Sequence, residues 1–407
     1  MGLMGTFYDV VVIGAGAAGI GAGRRLAKAG VSFVLVEARD RIGGRALTRP
    51  HGALDLGCGW LHSGERNMMT AMAEAMGFEV DRTKAPWERQ SGAQGMSEQE
   101  QAEFRKAFAQ FEKRIDEEAE QGPAAPASHY LEPDCRWNPL LNAVFSYISG
   151  AALAEIDARD YARYEDTGCN WRVRDGYGAL IAALGAGLPV MLEAEARSID
   201  HSGATVRVET SRGAVEGRTS IVTVPTEHVT SIAFTPDLPG KREAASALPL
   251  GAAEKMYFAL QQPEEFPVDG HVFARTDRAE MGSYHLRPMG RPMIEVYFGG
   301  GLARGLVEAG PEAMADFAKH ELAELLGSSF PARLTTLATT SWSTDPYARG
   351  SYSYAKPGCA DMRAVLAAPY ADRLFFAGEA CSRSRYSTAH GAYETGHDAA
   401  EQALASL

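Results

Sequence analysis

The sequence predicts a protein of the α/β class in two domains, one built on a parallel sheet and the other an α+β domain of mixed sheet and helices. A buried strand, a glycine-rich turn and an alanine-rich helix occupy residues 10–30. A second α/β stretch lies near the C-terminus, where the apolar run Leu374–Phe376 precedes a helix from Ala389 to Leu404. Longer helices and strands of alternating polarity lie between these stretches, as expected of one domain inserted into another.

The N-terminal segment is predicted to form a strand, a helix and a second strand. Val10–Ile13 is a continuous apolar run, which is typical of a strand buried on both faces of a parallel sheet. The helix continues through Lys28 and stops at Gly30, because glycine readily takes the left-handed conformation that ends helices. Phe33–Val36 forms the next buried strand. This order is that of a nucleotide-binding βαβ unit.

The turn between the first strand and the helix carries the pattern Gly14-x-Gly16-x-x-Gly19, and Glu37 ends the second strand. The first glycine allows a tight turn, the second lets a pyrophosphate approach the backbone, and the third lets helix and strand pack closely. The amides that start the helix favour bound phosphate, and Glu37 can accept both hydroxyls of an adenosine ribose. The alternative is that the glycines only form an ordinary turn. Their position between a strand and a helix favours a Rossmann-like dinucleotide site instead.

The segment Arg39–Arg45 indicates whether the dinucleotide is FAD or NAD. It places the glycine pair Gly43 and Gly44, and then Arg45, directly after the second strand. A nicotinamide enzyme has no evident use for these residues there. The larger FAD, lying extended across the sheet, can use the glycines for close backbone approach and the arginine for its charged middle. The alternative is a basic surface loop.

The central part of the chain supplies most of the second domain. Ser97 and Glu100 fit a capping box that starts an amphipathic helix, and we interpret the aromatic stripe from Phe104 onward as core rather than a partner-binding face. Further strands are predicted at residues 205–208, 220–224, 255–260 and 293–298, and a helix at 311–326. We assign residues 1–80, 165–250 and 340–407 to an FAD-binding domain, and residues 81–164 and 251–339 to a substrate-binding domain.

Composition limits the classes of partner. The chain has 407 residues, with 40 Lys+Arg against 52 Asp+Glu, and a formal net charge of −12. This balance argues against nucleic-acid binding, which needs a basic surface, and suits a cationic small molecule. The five cysteines form no C-x-x-C pair, no metal site is indicated, and Met1–Tyr8 lacks a secretory pattern. We expect a cytoplasmic protein without a membrane span, and the oligomeric state stays open.

Several blocks resemble the flavin-containing amine oxidase family, which includes monoamine oxidases, polyamine and spermine oxidases and histone lysine demethylases. The similarity starts at Glu37–Arg45 and continues in the family's order through Leu56–His62, Val222–Pro225, Gly251–Lys255, Trp342–Tyr352, Phe376–Glu379 and Tyr386–Ala392. Among family members, the motifs are most similar to those of polyamine and spermine oxidases. Residues 80–165 carry little of the resemblance.

The resemblance implies FAD as the cofactor. Glu379 is similar to the family's ribityl-binding carboxylate, and the helix from Ala389 would direct its N-terminal dipole at the flavin ring. Ser351 lies where monoamine oxidases carry the cysteine that bonds to flavin, so the FAD is expected to be non-covalent. The implied cofactor-binding residues are Gly14, Gly16, Gly19, Glu37, Arg39, Gly43, Gly44, Arg45, Gly57, Gly59, Trp60, Ala196 (through its backbone, to adenine), Gly378, Glu379, Ser387 and Thr388.

The resemblance also implies a reacting centre. Lys255 resembles the lysine that holds a water against flavin N5, whereas the residues alone favour an exposed strand lysine paired with Glu254. Tyr352 resembles one wall of an aromatic cage for the substrate amine, although the alternation in Ser351–Tyr354 also fits a plain strand. Trp342 is a further candidate near the ring.

Two more positions bear on the substrate. Thr388 occupies the second wall of the cage, which is tyrosine in monoamine oxidases and threonine in spermine oxidases and the demethylases. The smaller side chain favours an extended or secondary amine. His62 matches a histidine of the polyamine oxidases that would contact a distal substrate amine, whereas a lone histidine is otherwise more often structural.

The resemblance therefore implies an FAD-dependent oxidase of polyamines or other primary or secondary amines, which uses O2 and releases an aldehyde and H2O2. One alternative is an L-amino-acid oxidase or monooxygenase of the same superfamily, which needs an arginine such as Arg172, Arg174 or Arg287 for the substrate carboxylate. An amine dehydrogenase that passes electrons to a protein acceptor is another. A flavin-stabilised interaction module without catalysis is the third.

Overall fold

Seventeen strands and twelve α-helices occur in the computed structural model, which describes residues 7–49, 52–88 and 95–407. Most of Met1–Tyr8, the segment considered for a secretory signal, lies outside these residues. The strands are β1 Phe7–Ile13, β2 Phe33–Val36, β3 Thr48–Arg49, β4 Leu54–Asp55, β5 Val80–Asp81, β6 Arg172–Val173, β7 Val190–Met191, β8 Ala196–Asp200, β9 Val206–Thr210, β10 Gly213–Val222, β11 Ala233–Thr235, β12 Ala253–Leu260, β13 Gly270–Phe273, β14 Ser283–Leu286, β15 Met293–Gly299, β16 Leu334–Thr339 and β17 Leu374–Phe376.

The α-helices are α1 Ala17–Ala29, α2 Met68–Ala75, α3 Glu98–Glu118, α4 Asn138–Ser149, α5 Ala158–Ala162, α6 Tyr177–Leu184, α7 Thr226–Ser231, α8 Pro239–Ala247, α9 Gly300–Ala309, α10 Pro311–Leu326, α11 Met362–Ala367 and α12 Ala389–Ala405. Within the described part of the chain, none of these helices has the length and apolar composition that crossing a bilayer requires.

The chain divides into two compact units, each assembled from separated segments. Unit 1 contains the chain as far as Asp81 together with Tyr164–Pro249 and Asp361–Leu407. Unit 2 contains Arg82–Arg163 and Leu250–Ala360. Residues 340–360, which the sequence places with the FAD-binding segments, therefore belong to unit 2.

The difference at residues 340–360 has a physical reason. The segment follows β16, which pairs with β12 in the sheet of unit 2. It then stays on that unit, because the backbone N–H groups of Trp342 and Ser343 donate to the Glu254 carboxylate, and Ser353 bridges to Leu250. These partners are distant in sequence, so the local pattern of residues 340–360 does not reveal them.

Unit 1 is built on an eight-stranded sheet in the order β11-β8-β9-β10-β1-β2-β7, with β17 also paired to β10. The strands β17, β10, β1, β2 and β7 are parallel, so their carboxyl ends share one edge. The predicted N-terminal unit is confirmed, since β1, α1 and β2 follow one another and α1 ends at Gly30 with φ 73°. The strand predicted to continue to Val224 ends at Val222.

Unit 2 contains a five-stranded sheet in the order β13-β14-β15-β12-β16. The sequence predicts a mixed sheet here, and each of its described pairings is antiparallel. The short connections between β13, β14 and β15 explain this, because adjacent strands joined by hairpins run in opposite directions. The capping box at Ser97 is present at the start of α3, and Phe111 of its aromatic stripe is fully buried in a core cluster, as predicted.

Candidate active site

The parallel edge of unit 1 collects the predicted cofactor residues. Strands β1, β2 and β17 end at Ile13, Val36 and Phe376, and the residues that follow include Gly14, Glu37 and Gly378. In open α/β sheets, ligands bind outside the carboxyl ends of the strands. The fold therefore brings together motifs that lie more than 300 residues apart in the sequence.

Glu37 is buried at this edge, and both of its carboxylate oxygens accept backbone hydrogen bonds. The N–H of Ala15 donates to one oxygen at 2.7 Å, and the N–H of Arg39 donates to the other at 2.9 Å. The carboxylate thus ties the glycine-rich turn to the loop after β2, a role that sequence reasoning missed. The N–H of Ala194 also donates to the carbonyl of Glu37, which brings the chain leading to Ala196 alongside this loop.

The N-terminus of α1 has the features of a phosphate site. Gly16 is the N-cap residue of the helix and has no side chain to cap the first amides. A Cβ built on Gly16 would meet only the Cα of Gly44, at 4.0 Å, so the neighbouring protein atoms do not explain the glycine. A Cβ on Gly19 would lie 1.9 Å from the carbonyl oxygen of Gly14. The third glycine of the motif is therefore fixed by packing, and the second leaves room for a ligand.

Arg45 and Glu379 face each other at the same edge. The guanidinium nitrogens of Arg45 lie 3.3 Å from one oxygen of Glu379, and the N–H of Ser387 donates to the other at 3.0 Å. A pocket of about 330 Å³, part of it open to solvent, is lined by Arg45, Glu379, Gly378 and Thr226. The arrangement supplies a cation, a carboxylate and backbone groups to one concave surface.

Two further observations at the same edge are consistent with a large polar cofactor. The buried hydroxyl of Thr226 has no hydrogen-bond partner among the described residues. Apart from Gly378 itself and its two chain neighbours, no described residue has a heavy atom within 4 Å of a Cβ built on Gly378. A buried polar group without a partner is costly in a finished protein interior. A ligand with many hydrogen-bonding groups would fill the space beside Gly378 and would bond to the hydroxyl of Thr226.

The segment Gly57–Trp60 adjoins the Arg45 loop. A Cβ on Gly57 would lie 1.7 Å from the carbonyl oxygen of Arg45, so protein packing alone requires the glycine there. Trp60 is half-buried, and the guanidinium of Arg172 lies 5.0 Å from its ring centroid. Arg172 is in turn paired with Asp81 at 2.8 Å. For Gly59 the structure gives a half-buried position and no ligand-specific feature.

His62 belongs to a polar network in unit 1. Its Nδ1 lies 2.6 Å from Oδ1 of Asn170, and its carbonyl accepts from Asn67 at 2.9 Å. The same Asn67 amide lies 3.2 Å from Nδ1 of His390, in the first turn of α12. Burial lowers the pKa of His390 to about 3, with His62 and Arg385 adding to the effect. The network is consistent with a structural histidine as well as with the predicted substrate contact.

Thr388 is the N-cap of α12. Its hydroxyl accepts from the N–H of Gly391 at 3.0 Å and donates to the carbonyl of Arg385 at 2.7 Å. The hydroxyl therefore already has protein partners as donor and acceptor. A role of Thr388 in substrate choice would depend on the small size of its side chain.

Lys255 lies on β12 in unit 2 and is 6% exposed. Its Nζ is 3.0 Å from Oε1 of Glu295 on β15. The alternative of an exposed lysine paired with Glu254 is therefore wrong. Side chains alternate along a strand, so the adjacent residues Lys255 and Glu254 project to opposite faces and do not pair with each other.

Glu254 is fully buried and organises the segment that carries Trp342. Its carboxylate accepts from the N–H groups of Trp342 and Ser343, each at 3.0 Å. The hydroxyls of Thr340 and Ser343 donate to it as well, at 2.6 and 2.9 Å. Trp342 itself is buried, so its backbone position is fixed by a carboxylate from the strand that carries Lys255.

Tyr352 joins an aromatic cluster within unit 2. Its hydroxyl lies 3.1 Å from that of Tyr297 and also donates to the carbonyl of Tyr147. The rings of Tyr147 and Tyr297 meet edge to face at 6.2 Å, and Nζ of Lys255 is 5.8 Å from the Tyr297 ring centroid. Tyr297 therefore lies next to both Lys255 and Tyr352.

Sequence reasoning missed Glu295, Tyr297 and Tyr147. The first two interrupt the apolar run of β15, and a glutamate in an otherwise buried strand was a usable signal. The β12 partners of Glu295 and Tyr297 were not predictable, because they depend on the register between β12 and β15. Lys255, Trp342 and Tyr352 lie in unit 2, and the other predicted site residues lie in unit 1.

Comparison with known proteins agrees with this architecture. A sequence model of the family described as flavin containing amine oxidoreductase matches residues 99–404, and one described as an NAD(P)-binding Rossmann-like domain matches residues 12–75. Lysine-specific histone demethylase 1 homolog 3 of Oryza sativa subsp. indica is 27% identical over 434 residues, which cover 95% of this chain and 53% of that protein. Polyamine oxidase 2 of Arabidopsis thaliana is 29% identical over 434 residues, covering 97% of this chain and 87% of that protein.

The demethylase relatives are much longer than this chain, which spans about half of their length. Solved structures of putrescine oxidase share the fold. A double mutant with redesigned cofactor binding matches with a TM-score of 0.80 at 18% identity, over 98% of this chain and 99% of that one. The wild type bound to putrescine matches with a TM-score of 0.78 at 19% identity, over the same shares.

Proposed function

The chain belongs to the flavin-containing amine oxidoreductase family, and from this premise we propose that it is an FAD-dependent amine oxidase. A primary or secondary amine is oxidised at its C–N bond to an imine, and water converts the imine to an aldehyde and a smaller amine or ammonia. The two electrons and two protons removed from the amine reduce O2 to H2O2.

FAD is the cofactor, and it supplies the acceptor for the hydride of the substrate's α-carbon. Unit 1 would hold it through the N-terminus of α1 and Gly16 at the diphosphate, with Arg45 as the countercharge. Glu37 would bind the adenosine ribose, and Glu379 the ribityl chain. We propose that this binding is non-covalent, because the hydroxyl of Ser351 cannot form a thioether.

In unit 2 we assign three side chains to the amine and its reaction. Tyr352 and Trp342 bind and orient the amine through their aromatic faces and exclude water from it. Lys255 holds a water and a positive charge where oxygen is reduced. The observation that carries the proposal is the burial of Lys255 beside the tyrosine cluster and its pairing with Glu295, because a buried ammonium in an ordinary strand has no evident structural purpose.

We propose a polyamine or another extended amine as the substrate. Polyamine oxidase 2 is among the relatives of this chain, and a structural match is a putrescine oxidase with putrescine bound. The small Thr388 favours a long or secondary amine over a compact one. The net charge of −12 suits a cationic ligand in a general way. All five cysteines are outside disulfides, which supports our proposal of a cytoplasmic location.

An L-amino-acid oxidase is the second candidate, and it requires an arginine for the substrate carboxylate. The three arginines considered already have partners. Arg172 is paired with Asp81 at 2.8 Å, Arg174 with Glu79 at 2.7 Å, and Arg287 donates to the carbonyl of Phe266 at 2.7 Å. These contacts favour an amine without a carboxylate.

Anaerobic bleaching of the bound flavin tests the proposal. The purified protein is mixed without oxygen with spermidine, putrescine, a simple primary amine and a set of L-amino acids, and the flavin absorbance is followed. We expect polyamines to bleach it fastest. Bleaching by amino acids alone would support the second candidate, and a spectrum unchanged by every amine would contradict an amine oxidase.

A further inference from the structure

We propose that Glu295, anchored by His285 and Asp269, is the positioning residue that fixes the ammonium of Lys255 for the reaction with oxygen. The inference rests on the role of Lys255 in the proposed function and goes beyond it, because it identifies the residues that act through the lysine.

The residues form a continuous chain across the sheet of unit 2. Oε1 of Glu295 lies 3.0 Å from Nζ of Lys255 and accepts from the hydroxyl of Tyr257 at 2.9 Å. Oε2 of Glu295 faces Nδ1 of His285 at 3.7 Å, which is longer than a hydrogen bond, and Nε2 of the same ring is 2.9 Å from Oδ1 of Asp269. Oε1 of Glu295 therefore has two close polar partners, and Oε2 lies next to the His285 ring.

Strand register creates this chain. Glu295 lies opposite Tyr257 on β12 and opposite His285 on β14. Directly opposite residues on one face have Cβ atoms about 5 Å apart, which lets polar side chains meet. Asp269 is in turn held by the N–H of Met289, which donates to its Oδ1 at 2.9 Å. The far end of the chain is thus fixed by backbone.

Charge complementarity supports the assignment. Burial alone raises the pKa of Glu295, but Lys255 and His285 outweigh this effect and hold the pKa well below its ordinary value. Glu295 is therefore a carboxylate, and it is the counter-ion of Lys255 within the buried sheet. The nearest other acid in sequence, Glu254, is engaged with Thr340, Trp342 and Ser343.

A lysine side chain has four rotatable bonds and loses substantial freedom when it is held in one place. Glu295 fixes the distance to Nζ, Tyr257 holds the carboxylate by a hydrogen bond, and the His285 ring packs beside its other oxygen. Without this support, a buried ammonium either turns away or loses its proton, because an uncompensated charge is costly in a protein interior. Either result removes the positive charge that oxygen reduction uses.

The test compares Lys255→Met, Glu295→Gln and the double variant with wild-type holoenzyme. Each protein is reduced with dithionite, and its return to the oxidised absorbance in air-saturated buffer is timed. We expect Lys255→Met and Glu295→Gln each to slow this step by about tenfold or more, and the double variant to be no slower than Lys255→Met. Multiplied effects in the double variant would overturn the proposal.

The second readout needs no turnover. In protein labelled with ¹⁵N-lysine, the ammonium resonance of Lys255 is identified by its loss in Lys255→Met. It is expected to shift or disappear in Glu295→Gln. Glu117→Gln is the matched control, since Glu117 pairs with Lys113 at 3.7 Å on the exposed face of α3. An unchanged Lys255 resonance in Glu295→Gln would contradict the proposal.

Should Glu295→Gln yield no folded protein, His285→Gln replaces it with the same two readouts. Wild-type behaviour in both would overturn the proposed chain. The proposed function can fail separately. If Lys255→Met reoxidises as fast as wild type, the role of Lys255 in oxygen reduction is wrong, and the ammonium resonance still decides whether Glu295 fixes the lysine. Absence of bleaching by amines would refute amine oxidation without affecting either readout.

Discussion

Buried carboxylates organise the protein at the scale of single residues. Glu37 accepts the N–H groups of Ala15 and Arg39, whereas Glu254 accepts those of Trp342 and Ser343. The Glu37 carboxylate therefore connects the glycine-rich turn to the loop after β2. The Glu254 carboxylate connects β12 to the segment that follows β16. A hydrogen bond to a charged group contributes about 1.5–3 kcal/mol, and an amide in the same place would leave one donor facing another.

Glu37→Gln is expected to weaken FAD binding. The amide has one acceptor oxygen, so either the N–H of Ala15 or that of Arg39 loses its partner, and the proposed contact with the ribose loses its charge. We expect the Kd for FAD to rise about tenfold or more, which corresponds to about 1.4 kcal/mol. Fluorescence titration of apoprotein with FAD measures this change. Glu401→Gln, on the exposed face of α12, is the control and should bind FAD as wild type does.

The serine at position 351 leads us to expect that acid denaturation releases the flavin from the protein. The side chain has no sulfur to form a thioether, so acid precipitation should leave the yellow colour in the supernatant and a colourless pellet. Absorbance of the two fractions measures the distribution. Colour that stays with the pellet would mean a covalent link and would remove the argument from this position.

The sequence resemblance predicts Lys255 as a site residue, but it does not predict the residue that pairs with the lysine. The residue type and the surrounding block carry the resemblance, whereas the pairing with Glu295 depends on which residues of β12 and β15 lie opposite each other. Register is set by the packing of a whole strand face, and a shift of one residue would turn Glu295 to the other side. Sequence-local reasoning cannot supply that information.

At the level of elements, the junction of β1 and α1 combines one glycine that packing requires and one that has open space beside it. Gly19 touches the backbone of Gly14, whereas a Cβ on Gly16 has 4.0 Å of clearance to its nearest protein atom. The backbone of Gly16, at φ −76° and ψ −170°, is open to any residue. Two alanine substitutions three residues apart therefore separate folding from cofactor binding.

Gly16→Ala and Gly19→Ala are expected to fail in different ways. Gly16→Ala should change the free energy of unfolding without FAD by less than about 0.5 kcal/mol, and weaken FAD binding about tenfold or more, because the methyl occupies the approach to the diphosphate. Gly19→Ala should lower the unfolding free energy by about 1–3 kcal/mol through overpacking. Urea unfolding and FAD titration measure the two quantities. Wild-type FAD affinity in Gly16→Ala would refute this position of the diphosphate.

The sequence predicted many elements closely. The strand Phe33–Val36 and the helix Pro311–Leu326 match their predicted bounds, because apolar runs and terminal Gly and Pro residues mark them locally. Residues 340–360, which the sequence groups with the FAD-binding segments, lie in compact unit 2. That segment is largely irregular, and its attachment to unit 2 comes from Glu254 and Leu250, which lie about 90 residues earlier.

At the scale of the whole molecule, each unit contains a buried histidine that is held neutral. Burial lowers the pKa of His271 in unit 2 to about 3, with a smaller contribution from His285, and His390 in unit 1 has a pKa of about 3 for similar reasons. The unfolded chain has histidine pKa values of about 6.5. Between these values the unfolded state binds more protons than the folded state.

The contribution of these two histidines to the free energy of unfolding should therefore be fully present above pH 6.5. It should fall as the pH drops from 6.5 towards 3. Each histidine contributes a slope of at most about 1.4 kcal/mol per pH unit. Urea unfolding between pH 5 and 7.5 measures the slope, and His271→Gln and His390→Asn should each flatten it. A slope that neither substitution changes would show that other groups carry the pH dependence.

We propose that this chain oxidises an amine with O2, and the stoichiometry of the products tests this proposal. Enzyme, FAD and the polyamine that bleaches the flavin fastest are incubated in air, and the O2 consumed and the H2O2 and aldehyde formed are quantified together. We expect equal amounts of O2 consumed, H2O2 formed and aldehyde formed, with a much lower rate in Lys255→Met. Aldehyde formed without O2 uptake, and only with an added electron acceptor, would contradict an oxidase and identify a dehydrogenase.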